Sequence, residues 1–152
     1  MSAESRLAEL GITLPEAAAP AANYIPYAVT GNLLFTSGQL PLTGGKLSAT
    51  GLLGRELDVT AGREAAKWCA VNILAQAKAA LGDLGRIARI VKISVFVAST
   101  PDFTEQHLVA NGASDFLVDV LGDKGRHARS AVGMASLPLN APVEIEAIIE
   151  IE

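Results

Sequence analysis

A chain of 152 residues, half of them hydrophobic and 18% charged, is long enough for one domain with a sizeable core and too apolar for disorder as its main state. A net charge of −4 and a pI near 5.2 give no global electrostatic footprint for nucleic acid, and no apolar run reaches the ~20 residues of a membrane span. The single cysteine excludes an intrachain disulfide and a multi-cysteine metal site, and residues 1–7 lack a secretory pattern, so the expectation is a cytoplasmic protein with no membrane and no nucleic-acid partner.

Residues 2–10 are expected to form a short helix, with Leu7 and Leu10 on one side and Gly11 as its stop. The alanine- and proline-rich residues 15–22 read as a lead-in. Residues 1–22 are therefore expected to be an N-terminal extension, and 23–152 a single domain. Residues 24–29 and 33–37 flank Gly31-Asn32, a two-residue hairpin signal whose members tolerate positive φ. The glycine-rich loop over 43–57 fits no phosphate-binding spacing, which argues against a nucleotide site. Asp58 reads as the N-cap of a helix reaching about Leu81, with Ala65, Cys69, Ile73, Ala77 and Ala80 along its apolar face. Cys69 on that stripe reads as an inert core thiol rather than a nucleophile.

Gly82 and Gly85 close this helix, and residues 87–97, apolar on both faces toward their end, are expected to form a central strand. Thr100-Pro101-Asp102 reads as the next helix start, with Phe103, Ala110, Ala113, Leu117 and Val120 as the buried face and Gly122 as the stop. Neither His107 nor His127 has a second ligand at metal spacing, so no zinc is expected. A strand over 129–135 and a connector with two prolines lead to the last segment. There Val143, Ile145, Ala147, Ile149 and Ile151 alternate with Glu144, Glu146, Glu150 and Glu152, the pattern of a half-buried strand.

The order β-β-α-β-α-β-β predicts an α+β domain, a mixed sheet with two helices packed on one face. The other face, expected to carry Arg129 and the glutamates beside apolar side chains, is left for further copies of the chain to cover. An arginine and a carboxylate on successive strands could handle a small charged substrate; the competing reading is solvated charge on an open sheet face. Folding the two strands about their connector would set Arg129 opposite about residue 149, leaving Glu144 roughly 15 Å further along at ~3.3 Å per residue. A shared site then requires that the strands are not hairpin neighbours, or that another subunit completes it.

Four segments, at 32–41 (Asn-Leu-Leu-Phe-Thr-Ser-Gly-Gln-Leu-Pro), 91–97, Ala128-Arg129-Ser130 and Val143-Glu144-Ile145-Glu146-Ala147, together resemble the RidA/YjgF family of enamine/imine deaminases, in that family's order and over residues ~24–151. The resemblance implies a chorismate-mutase-like fold and a homotrimer with clefts between subunits. It implies that Arg129 binds a substrate carboxylate, that Glu144 positions or activates water, and that Ser37 and Gly38 line the cleft. An upstream tyrosine maps to Tyr24 on an ungapped alignment to Gly31-Asn32, whereas the Pro26-Tyr27 pair favours Tyr27; Tyr24 is preferred. Asn111 sits near a further family position on the second helix. Where the family often has Pro-Ala-Arg-Ser-Cys, this chain has His127-Ala128-Arg129-Ser130-Ala131; the missing cysteine removes no essential chemistry.

The implied reaction is hydrolysis of 2-aminoacrylate-type 2-imino acids to 2-keto acids and ammonia, with no metal or organic cofactor. A guanidinium can hold a carboxylate by two charge-assisted bonds while a carboxylate orients water. Two other functions stay open: a regulatory trimer that binds small carboxylates without turnover, and an endoribonuclease or translation inhibitor. The acidic chain without a basic-aromatic face argues against the last.

Overall fold

Local signals set the frame. Asp58 accepts the Ala61 N–H at 2.9 Å as a side-chain N-cap, and Gly82 ends the same helix in the left-handed region at φ 79°. Gly31 takes φ 57°, and Thr30 pairs with Leu33 across the two-residue turn. The computed structural model describes residues 1–17 and 22–152; residues 18–21 of the lead-in lie outside the described residues. In chain order the elements are α1 (Ala3–Glu9), β1 (Tyr27–Thr30), β2 (Leu33–Thr36), β3 (Leu42–Thr43), β4 (Lys46–Leu47), α2 (Val59–Leu81), β5 (Ile87–Ala98), α3 (Gln106–Leu121), β6 (Ala128–Met134) and β7 (Val143–Ile151). β3 and β4 form a small separate hairpin inside the glycine-rich loop.

The main sheet has the order β1-β2-β7-β5-β6. Its pairs are antiparallel except β5 with β6, which run parallel because α3 carries the chain from one to the other. β5 is an interior strand with a neighbour on each side, although the middle place of the five falls to β7 rather than to β5 as expected, and it separates β6 from β7. The last two strands are therefore not a hairpin. α2 and α3 pack together on one face and α1 joins the helical layer against α3. Here Leu34, Ile93, Val95, Val143, Ile145 and Ile149 meet Ala65, Ala66, Cys69, Ile73, Ala113 and Leu117 in one buried cluster, which also takes in Leu7. Gly112 lies where the two long helices cross: a Cβ there would overlap the Arg63 carbonyl oxygen, so the close approach requires glycine.

Three further expectations are corrected. α3 begins at Gln106 rather than at Thr100-Pro101. Thr100 donates its N–H to Leu53 O at 3.0 Å and its own carbonyl accepts from Phe103 N at 3.1 Å, so residues 100–103 form a turn tied to the glycine-rich loop. Leu10 is exposed, because only Leu7 of the first helix reaches the core. The third correction concerns Arg129. It pairs with Ile93, and Ile93 with Ala147; both partners face the helices and are buried. Arg129 is thus on the helical face, opposite to the glutamates.

The open face carries two rows of register partners. Glu144, Phe96 and Val132 are register partners in one row, and Glu146, Ser94 and Ser130 in the next. Phe35, paired with Ile148, and Val132 are 38% and 44% exposed. Charged and apolar side chains therefore alternate across a face that no described element covers.

Candidate functional site

Arg129 leaves the edge strand β6 toward α3, where three residues of one helical stripe receive it. Nη1 donates to Asn111 Oδ1 at 2.9 Å and to Ser114 Oγ at 3.1 Å, and Nη2 donates to the His107 carbonyl at 3.2 Å. Positions 107, 111 and 114 follow the i, i+4, i+7 spacing that stacks side chains on one helix face. Three of five guanidinium N–H donors are used in this way. Nε–H and one N–H on Nη2 have no partner among the described residues, and two donors are what a carboxylate takes from arginine in a bidentate pair.

Glu144 sits elsewhere. It projects from β7 onto the open face, next to the chain that leaves β2. Gln39 and Ile145 exchange backbone bonds of 2.8 and 3.0 Å, drawing residues 37–39 along β7. Thr36 Oγ1 accepts the Ala147 N–H at 3.0 Å, continuing the link between the strands. Gly38 is brought so close that any Cβ would collide with the Glu144 carboxylate. The glycine is what allows that carboxylate its place. Ser37 Oγ donates to the Ile25 carbonyl at 2.7 Å and so pins the segment bearing Tyr24. Tyr24 is 54% exposed, whereas Tyr27 packs on the core; of the two rings, that of Tyr24 is the one open to a ligand.

The six residues named from sequence thus form two clusters. Arg129 and Asn111 stand at the β6 edge on the helical face; Glu144, Gly38, Ser37 and Tyr24 stand toward the β2 side, with Glu144 on the open face. Arg129 is level with Ala147, three residues from Glu144 along β7 and two strands away. That is roughly 10 Å along the strand and ~10 Å across, with the sheet between them. No small molecule bound to one chain can touch both. An open groove of about 570 Å³ between α2 and α3 holds none of the six. Sequence reasoning missed Ser114 and the His107 carbonyl, although the spacing of 107, 111 and 114 on one helix was a usable signal.

Burial, and next the charge of Glu146, push the Glu144 carboxyl above its ordinary 4.5. The folded chain therefore holds this proton at pH values where the unfolded chain has released it. Stability from that difference is present at low pH and is lost as pH rises through the raised value. Glu144→Gln should accordingly raise the melting temperature at pH 7. For a group half in solvent the gain is at most about 1 kcal/mol, or roughly 2–4 °C, and it should shrink as pH falls toward 4.5. Thermal scans of both proteins at the two pH values check this, and an equal change at both would contradict it. Cys69, fully buried behind β7, is pushed well above 9.0, first by burial and then by Glu144, and its Sγ donates to Val143 O at 3.5 Å. It is a core thiol.

Comparison with known proteins places the chain in a wider group. A family model described as "YjgF/chorismate mutase-like, putative endoribonuclease" matches residues 4–151. Protein TCP17 of Trypanosoma cruzi is 53% identical over 148 residues, 97% of this chain and 92% of that protein. The crystal structure of the protein Atu1372 of Agrobacterium tumefaciens, itself of unknown function, is 61% identical with a TM-score of 0.94, covering 99% of this chain and 92% of that one. Escherichia coli TdcF with bound serine is 27% identical with a TM-score of 0.66, covering 90% of this chain and 94% of that one.

Proposed function

Because the chain belongs to the RidA/YjgF family, we propose that it hydrolyses reactive 2-imino acids to 2-keto acids and ammonia. The observation that carries this reading is Arg129, fixed by three bonds to α3 with two N–H donors left for a carboxylate. The enamine tautomerises to an imine, water adds to the imine carbon, and the resulting carbinolamine expels ammonia as the carbonyl forms. The protein's part is to hold the substrate carboxylate on Arg129 and to orient or deprotonate the water with Glu144, whose raised affinity for a proton makes it the better base. The serine bound by TdcF is of the same chemical class, a small molecule with an α-carboxylate and an α-nitrogen.

The separation of Arg129 from Glu144 by the sheet supports a site made by two subunits. The β6 edge of one copy would meet the Glu144, Gly38 and Tyr24 region of the next. Such a contact joins unlike surfaces, and a closed ring satisfies it for every subunit. Three subunits are the proposed number, with the apolar residues of the open face inside. Clefts closed in this way exclude water and strengthen the guanidinium–carboxylate pair. The glutamates of that face and the acidic chain argue against a nucleic-acid substrate.

The test is an assay in which an amino-acid oxidase or a dehydratase generates the imine and keto-acid release is followed with and without the protein. Accelerated release is expected. Unchanged release together with saturable pyruvate binding would overturn the enzyme reading in favour of a carboxylate-binding protein.

A further inference from the structure

His127, where the family often has proline, stands behind the Arg129 contact and touches neither Glu144 nor the donors left for a carboxylate. Its Nδ1 lies 2.6 Å from the Gly125 carbonyl oxygen. A carbonyl only accepts, so Nδ1 carries the proton, and in a neutral ring Nε2 is then an acceptor. Ser114 Oγ, 2.8 Å from Nε2, must spend its one proton there. Its lone pairs are what remain for Arg129 Nη1 at 3.1 Å. The row has a single direction: Arg129 donates to Ser114, Ser114 to His127, and His127 to Gly125.

We propose that His127 and Ser114 form a proton-sensitive positioning pair for Arg129, which holds the guanidinium for carboxylate capture while the imidazole is neutral and releases it when the imidazole is protonated. This rests on the reading of Arg129 as the carboxylate ligand. Protonation turns Nε2 into a donor. Ser114 Oγ then receives N–H groups from both sides, its own proton has no acceptor in the row, and a second positive charge stands behind Arg129. Burial first, and the charge of Arg129 as well, lower the His127 pKa from 6.5 against the opposing Gly125 bond.

The charged neighbours leave this arrangement to Arg129. On α3, His107 offers its backbone carbonyl and Asp115 pairs with Arg63 of α2 at 3.3 Å. Before β6, Asp123 pairs with Arg126, and Lys124 is exposed. Arg6 of α1 lies against Gly122, and Lys92 of β5, level with Ala128, lies on the open face.

The experiment measures pyruvate affinity by calorimetry between pH 5 and 8 for the wild type, His127→Gln and Ser114→Ala. Nitrogen-detected NMR follows the His127 ring and the Arg129 Nε–H in the same samples. Wild-type affinity should fall about tenfold as pH drops below the ordinary histidine value, the size of one lost charge-assisted bond. That fall should be absent from both variants, and His127 should show the Nδ1–H tautomer at pH 7.5. A fall that persists unchanged in His127→Gln, or an Nε2–H tautomer, would overturn the proposal. If the wild type binds no pyruvate at any pH, the carboxylate reading fails, and the Arg129 signal decides: movement with the His127 titration sustains the positioning pair, and no movement overturns it.

Discussion

Arg129→Ala should lower kcat/KM for imine hydrolysis by at least about 100-fold, to near the uncatalysed rate, because loss of the carboxylate anchor frees the imine carbon from its place beside the water. Arg129→Lys should recover little. The three acceptors on α3, Asn111 Oδ1, Ser114 Oγ and the His107 carbonyl, are arranged for a planar fork with two donors to spare. An ammonium on a flexible stem has three donors in all, so satisfying those acceptors leaves none for substrate. Circular dichroism establishes that each variant is folded, and coupled turnover assays measure the effect. Undiminished turnover in folded Arg129→Ala would remove the carboxylate anchor from the account.

Glu144→Gln should cut kcat by about 100-fold, within the usual contribution of a positioned acid or base, while the affinity for small carboxylates changes little. Glu146→Gln should leave both nearly unchanged. Sequence alone puts the two glutamates on one strand face and does not separate them. The structure does, because Gly38 is packed against the Glu144 carboxylate and Glu146 lies one row further on, beside Ser94. The wild-type rate should also fall as pH drops through the raised pKa of Glu144, a limb that lies above 4.5. That limb should be missing from Glu144→Gln. Equal losses in the two glutamine variants, read from kcat and from carboxylate titrations, would show that both carboxylates take part.

The parts of the fold legible in the sequence were those set by local chemistry. Asp58 and Gly82 bound α2 because a side-chain cap and a left-handed glycine are short-range events, and Gly31 marks its turn for the same reason. β7 follows directly from a period of two. The start of α3 was misread because Thr100-Pro101-Asp102 has helix-start chemistry, yet the Thr100 N–H is taken by Leu53, a partner far away in sequence. The face of Arg129 was misassigned for a similar reason. A parallel strand at the sheet edge, with register set by β5, has no alternation of its own strong enough to say which residues meet the helices. Of the site, Arg129, Glu144, Gly38 and Asn111 could be named from a family resemblance, but their division between two faces depends on sheet order and register. The link between Ser114 and His127 is not local, since what joins them is the packing of α3 beside β6.

If Arg129 of one subunit and Glu144 of another make one site, mixing two inactive variants should rebuild it. Arg129→Ala and Glu144→Gln proteins, each nearly inactive alone, are unfolded together in equal amounts and refolded; light scattering during chromatography should give about three times 15.7 kDa. In randomly assembled rings about a quarter of the contacts receive the intact arginine from one side and the intact glutamate from the other, so activity should return to roughly a quarter of the wild-type value. Activity no higher than the mean of the two separate variants, in rings shown to contain both, would contradict the claim.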